Sequence, residues 1–251
     1  MDRLCQCAED AAFNAWPALK EILHDGWLVR LSGGESRRTN SVSVIGPPRS
    51  PLEGKLAFCE RIYLAHQLPL SFRVRSFDAP ALERRLAQEG FAAHDETLTL
   101  FKDLGSQAPG EKSPDFCLEA KASRHWLHAH QQFTGRSDPQ TDLRLRQLEL
   151  ISLPCAFASV MRSGKIASLA IAVVHDRMMV LQWVATDPAH RQQGHSRATL
   201  LGLFAWGAAQ GARGACLQVL ASNAPALALY RSIGFDRELY RYHYRVRAAF
   251  K

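Results

Sequence analysis

The stretch Val184-Ala185-Thr186-Asp187-Pro188-Ala189-His190-Arg191-Gln192-Gln193-Gly194-His195-Ser196-Arg197 constrains this chain more than any other. It follows an apolar run, Met178-Met179-Val180-Leu181, and precedes a long apolar segment from Ala198 to Ala209. That order reads as strand, loop and helix. Asp187-Pro188 is turn chemistry, because proline has no N–H with which to continue its strand. Gly194 stands just before the expected helix start. A helix N-terminus exposes unpaired N–H groups and the positive end of the macrodipole, so this loop can cradle a phosphate. Arg191 and Arg197 add fixed positive charge. Taken alone, a basic strand-to-helix turn suits many α/β proteins.

A second segment narrows the choice. Leu217-Gln218-Val219-Leu220-Ala221-Ser222-Asn223 ends a strand and offers Asn223 as a helix cap. Ala224 to Ile233 reads as a helix, with Gly234 as its stop and Phe235 after it. Together, R-x-x-G-x-S at Arg191–Ser196 and N-x-x-A-x-x-L-Y-x-x-x-G-F at Asn223–Phe235 resemble the GNAT acyltransferases, which use acetyl-CoA. The resemblance covers the C-terminal half. It departs at Ser196, where the family prefers Gly or Ala; Ser is small enough for close backbone approach.

The resemblance implies an α/β fold of α+β type, a mixed and largely antiparallel sheet flanked by helices. It assigns the backbone of Val184, Ala185 and Thr186 to the acetyl end and the pantetheine of acetyl-CoA. Arg191, Gln192, Gln193, Gly194, His195, Ser196 and Arg197 would serve the pyrophosphate, and Asn223 a further cofactor contact. Tyr230 would be the general acid that protonates the CoA sulfur; a packed aromatic is the structural alternative for it. The implied function is acetyl transfer to an amine of a small molecule, peptide or protein. L-x-V-x-A-S-N-x-x-A-x-A-L-Y-x-x-x-G-F, from Leu217, is similar to the ribosomal-protein N-terminal alanine acetyltransferases, but Gln218 stands where those enzymes carry a Glu base. Gln accepts no proton usefully at neutral pH, so that substrate does not carry over. His175, His190 and Glu119 remain open as bases. The other function class, suggested by Gln218, is a non-catalytic acyl-CoA-binding regulatory module.

The first half carries an echo. Ala79-Pro80-Ala81-Leu82 with Gly90-Phe91 mirrors Ala224-Pro225-Ala226-Leu227 with Gly234-Phe235. Each pair leads into an alternating strand, which suggests duplicated units. The expectation is therefore tandem GNAT-like domains: a degenerate copy over 1–104, a linker over 105–115 and the acetyl-CoA-binding catalytic domain over 116–251. In the first copy, Leu86 aligns with Tyr230, and Gly46-Pro47-Pro48-Arg49-Ser50-Pro51 replaces the loop. Three prolines remove three N–H donors, so this loop should hold phosphate poorly. Elsewhere the pattern predicts a helix over Ala8–His24 kinked at Pro17, strands at Trp27–Leu31, Thr39–Ile45 and Leu70–Val74, and helices at Leu52–Gln67, Ser123–Phe133 and Thr141–Ile151. Strands at Ala156–Val160, Ile166–Val174 and Met178–Val184, joined by short turns, read as an antiparallel meander.

Charge divides unevenly. Residues 1–104 hold thirteen basic against fourteen acidic side chains, and residues 105–251 hold eighteen against ten. The basic half is the one with the loop, which suits a polyanionic cosubstrate. Nucleic acid is a weaker match, because no basic run interleaves with aromatics. The six cysteines show no disulfide or zinc spacing. His125, His128 and His130 lack matching ligands, so a solvated face or substrate contact is expected rather than a metal. No stretch reaches membrane-spanning length, and Met1-Asp2-Arg3-Leu4-Cys5 does not open a signal peptide, so no membrane partner and a cytoplasmic location are expected.

Overall fold

The computed structural model describes residues 2–105, 113–135 and 141–247. The central part of the expected 105–115 linker lies outside them. The chain forms two compact units. One comprises Met1–Ala15, Thr99–Val219 and Asn223–Leu239; the other comprises Trp16–Leu98, Leu220–Ser222 and Tyr240–Lys251. These units interleave along the chain instead of dividing at the 105–115 stretch.

In the unit built on Trp16–Leu98, β1 (Lys20–His24), β2 (Trp27–Leu31) and β3 (Val42–Val44) form an antiparallel meander. Helix α2 (Leu52–Ala65) then leads to β4 (Leu70–Arg75), which runs parallel to β3. Helix α3 (Pro80–Gln88) follows. The far neighbour of β4 is the end of the chain's last strand, β11 (Arg237–Arg247), paired antiparallel from Tyr242↔Arg75 to Arg247↔Leu70. Trp27, Val29, Val42, Phe72 and Val74 meet Cys59, Tyr63, Leu82 and Leu86 from the helices in one apolar core.

The first helix, α1 (Arg3–Ala15), is shorter than expected, and Lys20–His24 is a strand. Pro17 ends the helix because its ring disfavours α geometry in the residue before it. Asp25 and Gly26, at φ 45° and 76°, then make the two-residue turn that joins His24 to Trp27. An Asp-Gly pair is among the strongest hairpin signals, and helical spacing masked it. The expected strand at Thr39–Ile45 is reduced to β3, because Arg37–Thr39 forms a single 3-10 turn.

The loop before α2 holds an anion of the chain's own. The Asp25 carboxylate accepts from Arg49 N at 2.8 Å, Ser50 N at 2.9 Å and Ser50 Oγ at 2.6 Å. Lys55, buried over the Trp27 ring at 4.2 Å, donates to the Asp25 carbonyl at 2.6 Å. The prolines leave three N–H groups in place; Gly46 N donates to the Gly26 carbonyl at 3.0 Å, and Asp25 takes those of Arg49 and Ser50.

In the other unit the strand order is β5-β10-β9-β8-β7-β6. These are β5 (Ala92–Asp103, through its second half), β6 (Phe116–Glu119), β7 (Cys155–Arg162), β8 (Lys165–His175), β9 (Met178–Thr186) and β10 (Gly214–Leu220). The expected antiparallel meander is β7-β8-β9. Helices α4 (Arg124–Thr134), α5 (Thr141–Glu149), α6 (His195–Ala209) and α7 (Ala224–Ser232) complete it. Ser123 caps α4, accepting from Trp126 N at 3.1 Å. The buried face of α1, with Cys5, Ala8, Ala11 and Ala15, packs on β8 and β9.

The two sequence echoes fold alike. After α3, Gly90 (φ 80°) reverses the chain and Phe91 N donates to the Leu86 carbonyl at 3.0 Å. After α7, Gly234 (φ 94°) does the same and Phe235 N donates to the Tyr230 carbonyl at 3.0 Å.

The hydrogen bonds to Asp25, led by the Ser50 hydroxyl, hold its carboxyl well below the usual carboxylate range. A carboxyl depressed on folding stabilises above its unfolded value, about pH 4, and loses that contribution as pH falls below it. Asp25→Asn is therefore expected to lower stability at neutral pH and to lessen the further loss below about pH 4, measured by urea unfolding across pH.

Candidate functional site

The site begins with a break in alternation. Pairing of β8 with β9 steps from Leu169↔Ala185 to Ile171↔Gln182, so one residue of β8 faces two of β9. Trp183 occupies this bulge at φ 56°, a left-handed value uncommon for a bulky side chain. Two successive side chains consequently point the same way. Gln182 Nε2 donates to the Ala15 carbonyl of α1 at 2.6 Å, and Trp183 packs on His130 of α4 with ring centroids 4.5 Å apart. Beyond the bulge, Thr186 turns to α6, where its hydroxyl bonds that of Ser196. Parallel pairing of β9 with β10 ends at Leu181↔Leu217, while β9 runs on to Thr186. The strands part beside Val184, Ala185 and Thr186.

Asp187 organises the loop that follows. Its Oδ1 accepts from Ala189 N at 2.9 Å and its Oδ2 lies 3.2 Å from His190 Nδ1. The Ala189 N–H, and then His190, hold the Asp187 carboxyl below its ordinary value. Gln192 (φ 59°) and Gly194 (φ 79°) are both left-handed, and Gly194 is the residue before the first turn of α6. A Cβ on Gly194 would meet nothing within 4 Å, so the space above this backbone is open. Arg191, Gln192, Gln193 and Gly194 are exposed.

The remaining candidates divide. The His195 side chain is 6% exposed, and burial, then Arg162 and His190, push its pKa down. Its ring is tucked against the loop's own side chains, with Nε2 3.4 Å from Gln193 Oε1 and the ring 5.9 Å from that of His190. Ser196 is turned to Thr186. Arg197 Nη1 donates to the Ser232 carbonyl at 3.1 Å, tying the start of α6 to the end of α7. Asn223 caps α7, accepting from Ala226 N at 3.2 Å. Tyr230 is buried on α7, edge-on to Phe235 with centroids 6.0 Å apart. Gln218 lies in β10, half-buried.

Some elements carried no clear signal in sequence. Ser168 Oγ meets Thr199 Oγ1 at 2.5 Å, and Thr199 also donates to the His195 carbonyl at 3.0 Å, so β8 and the first turn of α6 are locked together. His125 and His128 face solvent, whereas His130 is buried with Trp126 and Trp183; Arg144 of α5 lies over the Trp183 ring at 5.5 Å. An i, i+4 pair of aromatics, Trp126 and His130, was the available clue.

Residues 6–247 match the family described as "Probable histone acetyltransferase Rv0428c C-terminal". The chain belongs to this family of GNAT acetyltransferases. It is 25% identical over 244 residues to the Bacillus subtilis protein described as the uncharacterized N-acetyltransferase YobR, covering 95% of this chain and 97% of that one. It is 39% identical over 83 residues to the [ribosomal protein bS18]-alanine N-acetyltransferase of Escherichia coli K12, covering 33% of this chain and 56% of that enzyme. In fold it is similar to a GCN5-related N-acetyltransferase from Kribbella flavida, with a TM-score of 0.67, 16% identity and coverage of 98% and 95%. A tandem GNAT protein from the clavulanic acid pathway shares the fold with a TM-score of 0.57 and 14% identity, over 84% of this chain and 76% of that one. No helix among the described residues is long and apolar enough to cross a membrane.

Because the space above Gly194 is open, Gly194→Ala is expected to cost only backbone strain, about 1–2 kcal/mol in urea unfolding.

Proposed function

We propose that the chain transfers an acetyl group from acetyl-CoA directly to an amine, within the unit that holds Thr99–Val219 and Asn223–Leu239. The observation that carries this reading is the loop between β9 and α6. Its left-handed residues, Gln192 and Gly194, precede a helix N-terminus, and nothing crowds the Gly194 backbone. A Cβ-free, N–H-rich turn of this kind suits a pyrophosphate. Gln192, Gln193, Gly194 and the backbone of His195 and Ser196 would hold it, with Arg191 adding charge. Arg197 has a structural duty at Ser232 as well.

Where β9 leaves β10, backbone groups of Val184, Ala185 and Thr186 would hold the pantetheine and polarise the thioester carbonyl. The amine nitrogen would attack that carbonyl carbon; a C–N bond forms, the C–S bond breaks, and the thiolate takes a proton from the Tyr230 hydroxyl. Asn223 would serve both as cap and as cofactor contact. The amine must arrive neutral; once it has attacked, its nitrogen gives a proton to water, since Gln218 offers no base, and water returns a proton to Tyr230. Gln218 is also what favours the second reading, a non-catalytic acyl-CoA-binding module. Following free thiol with a panel of amines separates the two: release dependent on an amine supports the enzyme, and its absence with retained binding supports the module.

The unit built on Trp16–Leu98 is read as a degenerate copy. In support, β1-β2-β3-α2-β4-α3 repeats the element order β7-β8-β9-α6-β10-α7. Asp25 bonds the N–H groups before α2, and Leu86 stands where α7 has Tyr230. Calorimetric titration of the full chain with acetyl-CoA is expected to give one site; two equivalent sites would refute the copy's degeneracy.

Two variants test the roles. Gly194→Trp should fold and bind CoA weakly, because its side chain fills the space the pyrophosphate needs. Tyr230→Phe keeps the ring and removes one hydroxyl, so acetyl-CoA affinity should hold while kcat falls by roughly 10²–10⁴-fold. Unchanged kcat would make Tyr230 a packing residue.

A further inference from the structure

Trp183 sits in the β9 bulge at φ 56°, a left-handed conformation that a bulky residue keeps only where its surroundings hold it. The hold comes from α4. His130 packs on the Trp183 ring with centroids 4.5 Å apart. Trp126, one turn earlier, lies 6.3 Å from Trp183 and parallel to His130 at 6.1 Å. The three rings form a triangle in which His130 makes the closest contact with Trp183. Trp126 is fully buried, and its Nε1 donates to the Ala158 carbonyl of β7 at 3.1 Å. Phe157 of β7 stands edge-on to Trp126, with centroids 5.4 Å apart. The pair on α4 is thereby fixed to the sheet. On the other residue of the bulge, Gln182 Nε2 is pinned to the Ala15 carbonyl at 2.6 Å.

What the bulge decides is direction. Successive residues of a strand send their N–H and C=O groups to opposite neighbours, and one inserted residue exchanges the two sets. Beyond the bulge, β9 pairs with β8 again at Ala185↔Leu169 and Thr186↔Ser168. A Trp183 that relaxed to negative φ would turn the backbone of Val184–Thr186 off its present course. These are the groups read above as polarising the thioester carbonyl, so their aim depends on the ring that holds Trp183.

We propose that His130 is a positioning residue for the acetyl group. Through its contact with Trp183 it keeps the bulge left-handed, and so aims the backbone of Val184, Ala185 and Thr186 at the thioester carbonyl. This inference rests on the acetyl-CoA reading above. It gives a buried histidine of α4 a duty that runs through Trp183 and not through contact with the cosubstrate.

Calorimetric titration of the full chain with CoA and with acetyl-CoA tests it, because the two ligands differ only at the acetyl group that this backbone would hold. In His130→Ala the affinity for CoA should stay within about twofold, whereas that for acetyl-CoA should fall by roughly threefold to tenfold, the net worth of one hydrogen bond. His130→Phe, which keeps a flat ring, should retain the wild-type ratio of the two affinities. Trp183→Gly adopts positive φ freely and offers His130 no ring, so acetyl-CoA should already be weakened there, and adding His130→Ala should change nothing further. If His130→Ala does not fold, as judged by urea unfolding, His130→Leu keeps the bulk without a flat face and carries the same expectation. The proposal is overturned if the folded variant weakens CoA and acetyl-CoA alike or leaves both unchanged, since either makes His130 a packing residue. It is also overturned if the loss persists at full size in the Trp183→Gly background, which means that His130 does not act through Trp183. A wild-type chain that binds neither ligand overturns the acetyl-CoA reading itself, and this proposal with it.

Discussion

One extra residue in β9, at Trp183, breaks the two-residue alternation of the strand and sets the geometry of everything after it. Before the bulge, β9 is held on both sides, by β8 and by β10. At the bulge, Gln182 and Trp183 both turn to the α1 and α4 side, and beyond it Thr186 meets Ser196 at the start of α6. Bulges sharpen local twist and disrupt the ladder, so the parting of β9 from β10 has a local cause. The left-handed Trp183 is a strained conformation, and the aromatic contacts with His130 and Trp126 are what surround and hold it. The candidate site is thus a defect in a sheet, stabilised by packing on one side and by hydroxyl bonds on the other.

The loop and its helix were legible in the sequence because their chemistry is local. Asp187-Pro188, Gly194 and the Asn223 cap act within a few residues, and each does in the structure what its residue type implies. The meander was legible for the same reason: Ser163-Gly164 and Asp176-Arg177 are tight turns between apolar runs. What escaped was long-range or competing. Ala8–His24 has helical spacing, and only Pro17 and the Asp25-Gly26 turn argue against it. The side chains of His195 and Arg197 are polar in the sequence, but tertiary contacts decide where they point. His195 is drawn inward beside His190, and Arg197 reaches the end of α7. The bulge left no trace, since no Gly or Pro marks it.

The two strand-loop-helix passages of the chain meet the same requirement differently. A helix start needs partners for its first N–H groups. Before α6 the backbone is left open and glycine keeps it so. Before α2 the Asp25 carboxylate takes the N–H groups of Arg49 and Ser50, in the loop just short of the helix, and is brought there by a hairpin turn in which Gly26 lies against the carbonyls of Gly46 and Pro47. Three prolines alone do not account for that loop.

The interleaving of the units bears on how such a chain can change over generations. Its first fifteen residues group with Thr99–Val219, and the end of its last strand groups with Trp16–Leu98. A deletion that removed either half would strip the survivor of a helix or a strand that its own core uses. Neither half can therefore be discarded, whatever it binds. Each persists as scaffold for as long as the chain as a whole must fold.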